Sequence, residues 1–390
     1  MFSARVSQLT ESPTIGVLER TRRLRQQGVD IVDFGVGEPD FATPRHIQEA
    51  GARAILAGDT HYVPSRGIPA LREAIARKLE TDNGLRYDPD REIIVTGSSK
   101  LALVIAVLTV LQAGDEALLL DPAWVSYDPI VRLADATPVH IPLSGEEHFR
   151  ISEAVLERWL TPRTKLLILN TPNNPTGRVA SDEELAAIAA VAQRHNLLAI
   201  TDEIYEKIVF AGWAHRSLAS LPGMRERSIV VNGFSKGYAM TGWRLGYLAC
   251  DAALSAEMLK VQQHVVGCAA SFVQTAAVQA LLGPQEPVEA MRQEYQARRD
   301  LVVQGLNSLP GVRCSAPQGT FYAFPDVSGC GFASGAAGAE YLLDRAHVAL
   351  TPGEAFGAAG QGHVRLSFAT SREAIERGIA RLDEALRAVV

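Results

Sequence analysis

One lysine is set apart by its surroundings. Lys236 follows Ser235 in the Gly-rich turn of "VVNGFSKGYAMTGWRLGYLA" (230–249), and Arg244 comes two turns later. A lysine needed only for solubility has no use for that setting. Neighbouring cations and partial desolvation lower a lysine pKa and free the amine to act as a nucleophile. An anion site is available nearby in sequence type. "TGSSK" (96–100) ends an apolar run and opens a helix. Backbone N–H groups there, with the hydroxyls of Ser98 and Ser99, can cradle a phosphate. Ser235 and Arg244 would add a hydroxyl and a charged fork. Taken alone, such a Gly-Ser turn is more often only a helix cap. Asp202 ends the apolar run of "LLAITDE" (197–203). A carboxylate there needs a partner, for which a protonated ring nitrogen would serve. Tyr205 would share its side if a helical turn begins at this point. The plainer alternative is an N-cap Asp with a core Tyr. "NTPNNPTG" (170–177) is a tight turn, from which Asn174 can reach a crevice and hydrogen-bond a ring hydroxyl.

These residues need elements to hold them. Apolar runs at 92–97, 116–121, 164–170, 197–203, 228–233 and 245–250 alternate with helical patterns. Helices are expected at 101–111 and 181–196, the second with a Ser181/Glu184 capping box. Continuous apolar strands between helices predict an α/β fold with a mostly parallel sheet covered on both faces. Ligands then bind at the carboxyl ends of the strands, where Asn174, Asp202, Ser235 and Lys236 fall. After "GPQEP" the pattern changes to a long polar helix (288–308) and the strand-like "GTFYAFPDV" and "HVRLSFA". The expected division is an N-terminal arm (1–14), part of a small domain (15–45), a large three-layer α/β/α domain (46–284) and a smaller C-terminal α+β domain (285–390).

Composition bounds the function. The 390 residues are 47% hydrophobic with a net charge of −6, which gives no electrostatic footprint for nucleic acid. The start, "MFSARVSQLTESPTIG", lacks a signal-peptide pattern, and "LALVIAVLTVL" is too short to span a membrane. Cys250, Cys268, Cys314 and Cys330 lie far apart, which suits reduced thiols and a cytoplasmic location. His46, His61, His140, His148 and His264 have no metal-ligand spacing, so no metal is expected.

Together these motifs resemble the fold-type-I pyridoxal-phosphate enzymes, specifically class I/II aminotransferases of the bacterial aspartate aminotransferase type. The resemblance runs from "GVGEPDFATP" (35–44) to "GHVRLSFA" (362–369) and rests on "SKGYAMTGWRLGY", "NNPTG" and "DEIY". It implies pyridoxal 5'-phosphate as cofactor, with Lys236 as the lysine attached to the cofactor aldehyde. Asp202 is the implied partner of the pyridine nitrogen, and Asn174 and Tyr205 bind the ring hydroxyl. Ser98, Ser99, Ser235 and Arg244 match the phosphate cup, and Trp124 matches the ring stacked on the cofactor. Arg365 matches the fork on the substrate α-carboxylate, with the Gly37 backbone beside it. Tyr62 matches a tyrosine that reaches the neighbouring subunit's phosphate, which implies a homodimer with shared sites.

The resemblance implies a ping-pong exchange of an amino group between an L-amino acid and a 2-oxo acid. Lys100 stands where related enzymes carry a lysine that contacts a distal carboxylate, which favours aspartate or glutamate; a solvated helix-start lysine is the alternative. Arg66, in "HYVPSRG", is either a further cation near the entrance or without a part in the site. An aminotransferase for a basic or guanidino amino acid, and a β- or γ-eliminating lyase on the same scaffold, are the alternative readings. A cofactor-sensing regulator would need a further DNA-binding module. A dinucleotide-binding dehydrogenase fails because "GVGEPD" has Asp40 where the third Gly of the fingerprint belongs.

Overall fold

The computed structural model describes residues 2–9 and 13–389; positions 1 and 10–12 of the expected N-terminal arm lie outside the described residues. Twelve strands, β1 to β12, occur among them. β2 (Ile93–Thr96), β3 (Glu116–Asp121), β4 (Thr137–Pro142), β5 (Thr164–Asn170), β6 (Leu198–Asp202), β7 (Ser228–Gly233) and β8 (Gly246–Ala249) form one sheet. Its order is β2-β8-β7-β6-β5-β3-β4. β8 runs antiparallel to both neighbours, and the other pairs are parallel.

Alternation along these strands builds the layers. Leu119, Ile168, Ile200 and Val231 face a core closed by the helices Ser99–Val110 and Tyr127–Leu133. Their neighbours Leu118, Leu167, Leu169 and Ala199 face the opposite side, against the helix Asp182–Arg194. That helix carries the expected capping box, with Ser181 Oγ accepting from the Glu184 N–H and Glu184 Oε2 from the Ser181 N–H. The three-layer expectation is therefore met. β4 is an addition that the sequence reading missed. It sits at the sheet edge, where Pro138 and Pro142 are tolerated because a ladder is needed on one side only.

Smaller sheets use the two ends of the chain. β1 (Val32–Asp33) pairs in parallel with β10 (Val348–Ala349). β9 (Tyr322–Ala323), β11 (Thr351–Pro352) and β12 (Val364–Ser367) form an antiparallel group in the order β11-β12-β9. The long helix Glu286–Asn307 begins two residues before its expected start at 288. No helix among the described residues is long and apolar enough to cross a membrane.

Candidate active site

A cavity of about 410 Å³ opens at the carboxyl ends of β5, β6 and β7. Its lining includes Gly37, Ser98, Ser99, Lys100, Trp124, Asn174, Asp202, Tyr205, Ser235, Lys236, Arg244 and Arg365. Those are all the expected site residues except Tyr62, which is 97% exposed and stands outside the cavity of its own chain.

The anion end is built by two glycines and a helix start. A Cβ on Gly246 would lie 2.3 Å from Ser99 N, and one on Gly233 would lie 2.5 Å from Ser99 Oγ. Glycine at both positions lets the helix Ser99–Val110 begin directly on the sheet. Ser98 Oγ caps this helix by accepting the Leu101 N–H at 3.1 Å, and Ser98 O accepts the Ala102 N–H. The N–H groups of Ser99 and Lys100 stay free of partners among the described residues and point with the positive helix end. The Ser99 hydroxyl departs from expectation: it donates to the Asn232 carbonyl at 3.0 Å. Its proton is thus taken by the sheet, and Ser99 offers its backbone instead. Arg244, held at φ +55°, donates to the Thr241 carbonyl at 2.8 Å and lines the same end.

The acid end is deeper. Asp202 ends β6 and is 4% exposed. Its Oδ2 accepts the Tyr127 hydroxyl at 2.7 Å, and its Oδ1 accepts the Ile204 N–H at 3.3 Å. Burial pushes this carboxyl up to about 6, against the pull of Tyr127 and the Ile204 N–H. No cation lies within ion-pair distance of it among the described residues. Tyr127 was absent from the sequence-based site, as was Asn170. In register, Asn170 on β5 stands opposite Asp202 on β6. Asn170 donates to the Asp202 carbonyl at 2.9 Å and accepts the Asn174 N–H at 2.8 Å. Asn174 Oδ1 in turn accepts Arg365 Nη1 at 3.1 Å. One hydrogen-bonded line therefore runs from the Asp202 backbone to the arginine.

Arg365 projects from β12 and is 3% exposed. Its Nη2 donates to the Gly35 carbonyl at 3.0 Å, its plane lies 4.4 Å from the Tyr322 ring centre, and its Nε has no partner. Tyr322, a third residue missed in sequence, also shares a 3.1 Å hydroxyl contact with Tyr205. A Cβ on Gly37 would meet the Tyr322 hydroxyl at 2.7 Å, so Gly37 is the residue that lets this wall close. Sequence gave no signal for Tyr127, Asn170 or Tyr322 beyond their adjacency to recognised motifs.

Lys236 lies between the two ends. Its Nζ donates to the Gly37 carbonyl at 2.5 Å. Burial, and then the Arg365 charge, lower its pKa to about 8. Trp124 forms one wall, edge-on to Tyr127 at 5.4 Å, with Lys100 Nζ 4.9 Å from its ring centre. Burial, with Arg244 nearby, lowers the Lys100 pKa.

One further expectation is corrected. Arg66 does not face the entrance; it donates to the Arg91 and Ile93 carbonyls at 3.0 and 3.2 Å and to Ser255 Oγ at 2.6 Å, stitching backbone together. His215, outside the set considered in sequence, meets buried acidic residues. It gathers with Glu203 and Glu206, but the Lys78 ammonium ion-pairs with Glu206 and fills that group's charge need.

Comparison with known proteins agrees with this geometry. The family model for aminotransferase class I and II matches residues 29–382. An aspartate aminotransferase of Musicola paradisiaca is 43% identical over 382 residues, covering 98% of this chain and 96% of that protein. An aromatic-amino-acid aminotransferase 2 of Thermococcus litoralis is 43% identical and covers 93% of each chain. The solved aspartate aminotransferase from Thermus thermophilus with maleate is 40% identical, with a TM-score of 0.94 over 99% of both chains. The chain belongs to the class I and II aminotransferases, pyridoxal 5'-phosphate-dependent transaminases of fold type I.

Proposed function

We propose that the enzyme transaminates dicarboxylic amino acids, with aspartate or glutamate as donor and a 2-oxo acid as acceptor. The observation that carries this reading is Lys100: an ammonium without an ion-pair partner among the described residues, in the same cavity as Arg365. Two separate cations suit a substrate with two carboxylates. Relatives named aspartate aminotransferase, one of them solved with maleate, support the choice. A cationic side chain would meet Lys100 and Arg244, while Glu38 at the rim already accepts the Thr241 hydroxyl at 3.0 Å.

The donor set fits pyridoxal phosphate. Free N–H groups with Ser98, Ser235 and Arg244 would hold its phosphate; the lone buried Asp202 would hold its ring nitrogen; Asn174 and Tyr205 would hold its hydroxyl; Trp124 would cover its face; and Lys236 would bind its aldehyde. When bound, this cofactor supplies an electron sink and carries the amino group between two half-reactions. The chain's own residues do the rest. Arg365 binds the α-carboxylate through its unpartnered Nε and fixes which Cα bond is broken. Once the substrate amine takes its place at the aldehyde, the freed Lys236 amine, with its pKa lowered to about 8, would take the proton from Cα as general base and return it within the same cavity. Asp202, ionised, keeps the ring-nitrogen proton in place. Lys100 binds the distal carboxylate. Tyr62, exposed in one chain, completes the partner's phosphate cup in a cytoplasmic homodimer. Residues 46–284 form the cofactor body, and 15–45 with 285–390 form the second.

The test is Lys100→Met assayed with a panel of donors. A lost charge-assisted hydrogen bond is worth about 1.5–3 kcal/mol, or roughly 10–150-fold in kcat/KM. That loss should fall on aspartate and glutamate, with phenylalanine and alanine changed less than about threefold. An equal loss for all donors, or a wild-type enzyme that prefers arginine, would overturn the reading.

A further inference from the structure

Asp121 ends β3 and Asp128 lies in the first turn of the helix Tyr127–Leu133, so these two acids bracket the segment that carries Trp124 and Tyr127. His140, on the edge strand β4, reaches both. Its Nδ1 lies 2.9 and 3.1 Å from the two Asp121 carboxylate oxygens, and its Nε2 lies 2.9 Å from Asp128 Oδ2. Each ring nitrogen faces a carboxylate, so each carries a proton and the ring is an imidazolium.

The surroundings lock this bridge at both ends. Arg132 forks onto Asp128 at 2.6 and 3.1 Å. Asp121 is buried at 1% exposure. Gly357 covers it so closely that a Cβ there would lie 2.0 Å from Oδ2. Next to Gly357, the Phe356 carbonyl accepts the Ala123 N–H at 2.8 Å, and the Phe356 ring lies 5.0 Å from the Arg365 guanidinium. The bridge therefore brackets the segment that carries Trp124 and reaches the Arg365 wall through one loop. The charged groups that face His140 are Asp121 from β3 and Asp128 from the helix, with Arg132 behind Asp128.

We propose that His140 is a positioning residue: by joining Asp121 to Asp128 it fixes the Trp124–Tyr127 segment, and with it the aromatic wall and the Tyr127–Asp202 contact of the cofactor site. This rests on the cofactor site alone and is independent of which amino acid is the donor. A neutral imidazole has one N–H, so it would keep one acid and turn a lone pair on the other. The Asp121 and Asp128 hydrogen bonds raise His140 to about 9. The bridge is complete below that pH and is lost as pH rises through it.

The experiment measures pyridoxal phosphate affinity of the apoprotein by tryptophan quenching, beside its thermal midpoint. His140→Phe keeps a ring but no N–H; His140→Arg restores a cation with donors for both acids. His195→Gln, at a surface pair with Glu157, is the control. His140→Phe should weaken cofactor binding about tenfold or more at pH 7, since small displacements of a binding wall are costly. His140→Arg should lie within about threefold of wild type, and the control should be unchanged. Above pH 9 the wild type should lose affinity relative to His140→Arg, whereas the Lys236 titration is common to both. Wild-type affinity in His140→Phe, or failure of His140→Arg to restore it, overturns the proposal. If His140→Phe does not fold, Asp128→Ala carries the same test by removing one arm, and unchanged affinity there overturns it too. The donor panel on the wild-type enzyme stands or falls separately.

Discussion

Replacing Tyr127 by Phe removes one hydroxyl from the wall of the cavity and leaves the ring that meets Trp124 edge-on. The lost bond is the 2.7 Å donation to Asp202 Oδ2, made where both residues are buried. A hydrogen bond to a charged group contributes about 1.5–3 kcal/mol, and about 1.4 kcal/mol corresponds to one pKa unit. The ionised acid accepts that bond more strongly than the protonated acid, so its removal raises the Asp202 pKa by up to roughly one to two units. Starting from about 6, wild-type Asp202 is roughly nine-tenths ionised at pH 7; the variant would be half or less ionised. A protonated Asp202 cannot hold the cofactor ring nitrogen as a cation. The assay is the pyridoxal phosphate dissociation constant of the apoprotein between pH 5 and 9. Affinity should fall on acidification in both proteins, with the fall beginning about one to two units higher in Tyr127→Phe. The alkaline side, governed by Lys236, should superimpose. An acid limb that stays in place or moves to lower pH would refute the assignment of Tyr127 as the group that keeps Asp202 charged.

Two further outcomes follow from geometry. Gly246→Ala puts a Cβ 2.3 Å from the backbone nitrogen of Ser99, so the helix start must lift from the sheet; pyridoxal phosphate affinity should drop about tenfold or more, measured by equilibrium dialysis. Lys236 has its pKa lowered to about 8, so the rate at which apoprotein covalently captures pyridoxal phosphate should rise with pH through that value and then level off; Lys236→Ala should show no capture and no turnover.

Much of the site was legible because its residues sit just past strand ends in short strings of fixed spacing. Lys236 follows β7, Asp202 ends β6 and Asn174 follows β5, so an α/β pattern alone delivers them to one crevice. Their partners were not legible. Tyr127 meets Asp202 from the helix after β3, and Tyr322 on β9 meets Arg365 across the strand pair β9–β12 and Tyr205 from another segment. Nothing local marks such pairings, because they are set by which strands pair and how layers stack. β4 escaped notice because two prolines and a histidine interrupt its apolar pattern, which an edge strand can accept. The Ser99 hydroxyl was assigned to an anion because its type allows it; the nearby Asn232 carbonyl decides otherwise.

The pairing of Val32 with Val348 joins positions about 300 residues apart, the kind of distant contact that is late to form. Phe34, fully buried, donates its N–H to the Ala349 carbonyl and rests where a side chain on Gly378 would strike it. During synthesis on the ribosome, Val32 and Phe34 emerge about 300 residues ahead of the surfaces that will cover them. The large sheet has all its strands by Ala249, so it can be assembled while those two apolar side chains are still unsheltered. Arrival of Val348 and Gly378 is the event that retires this sticky patch.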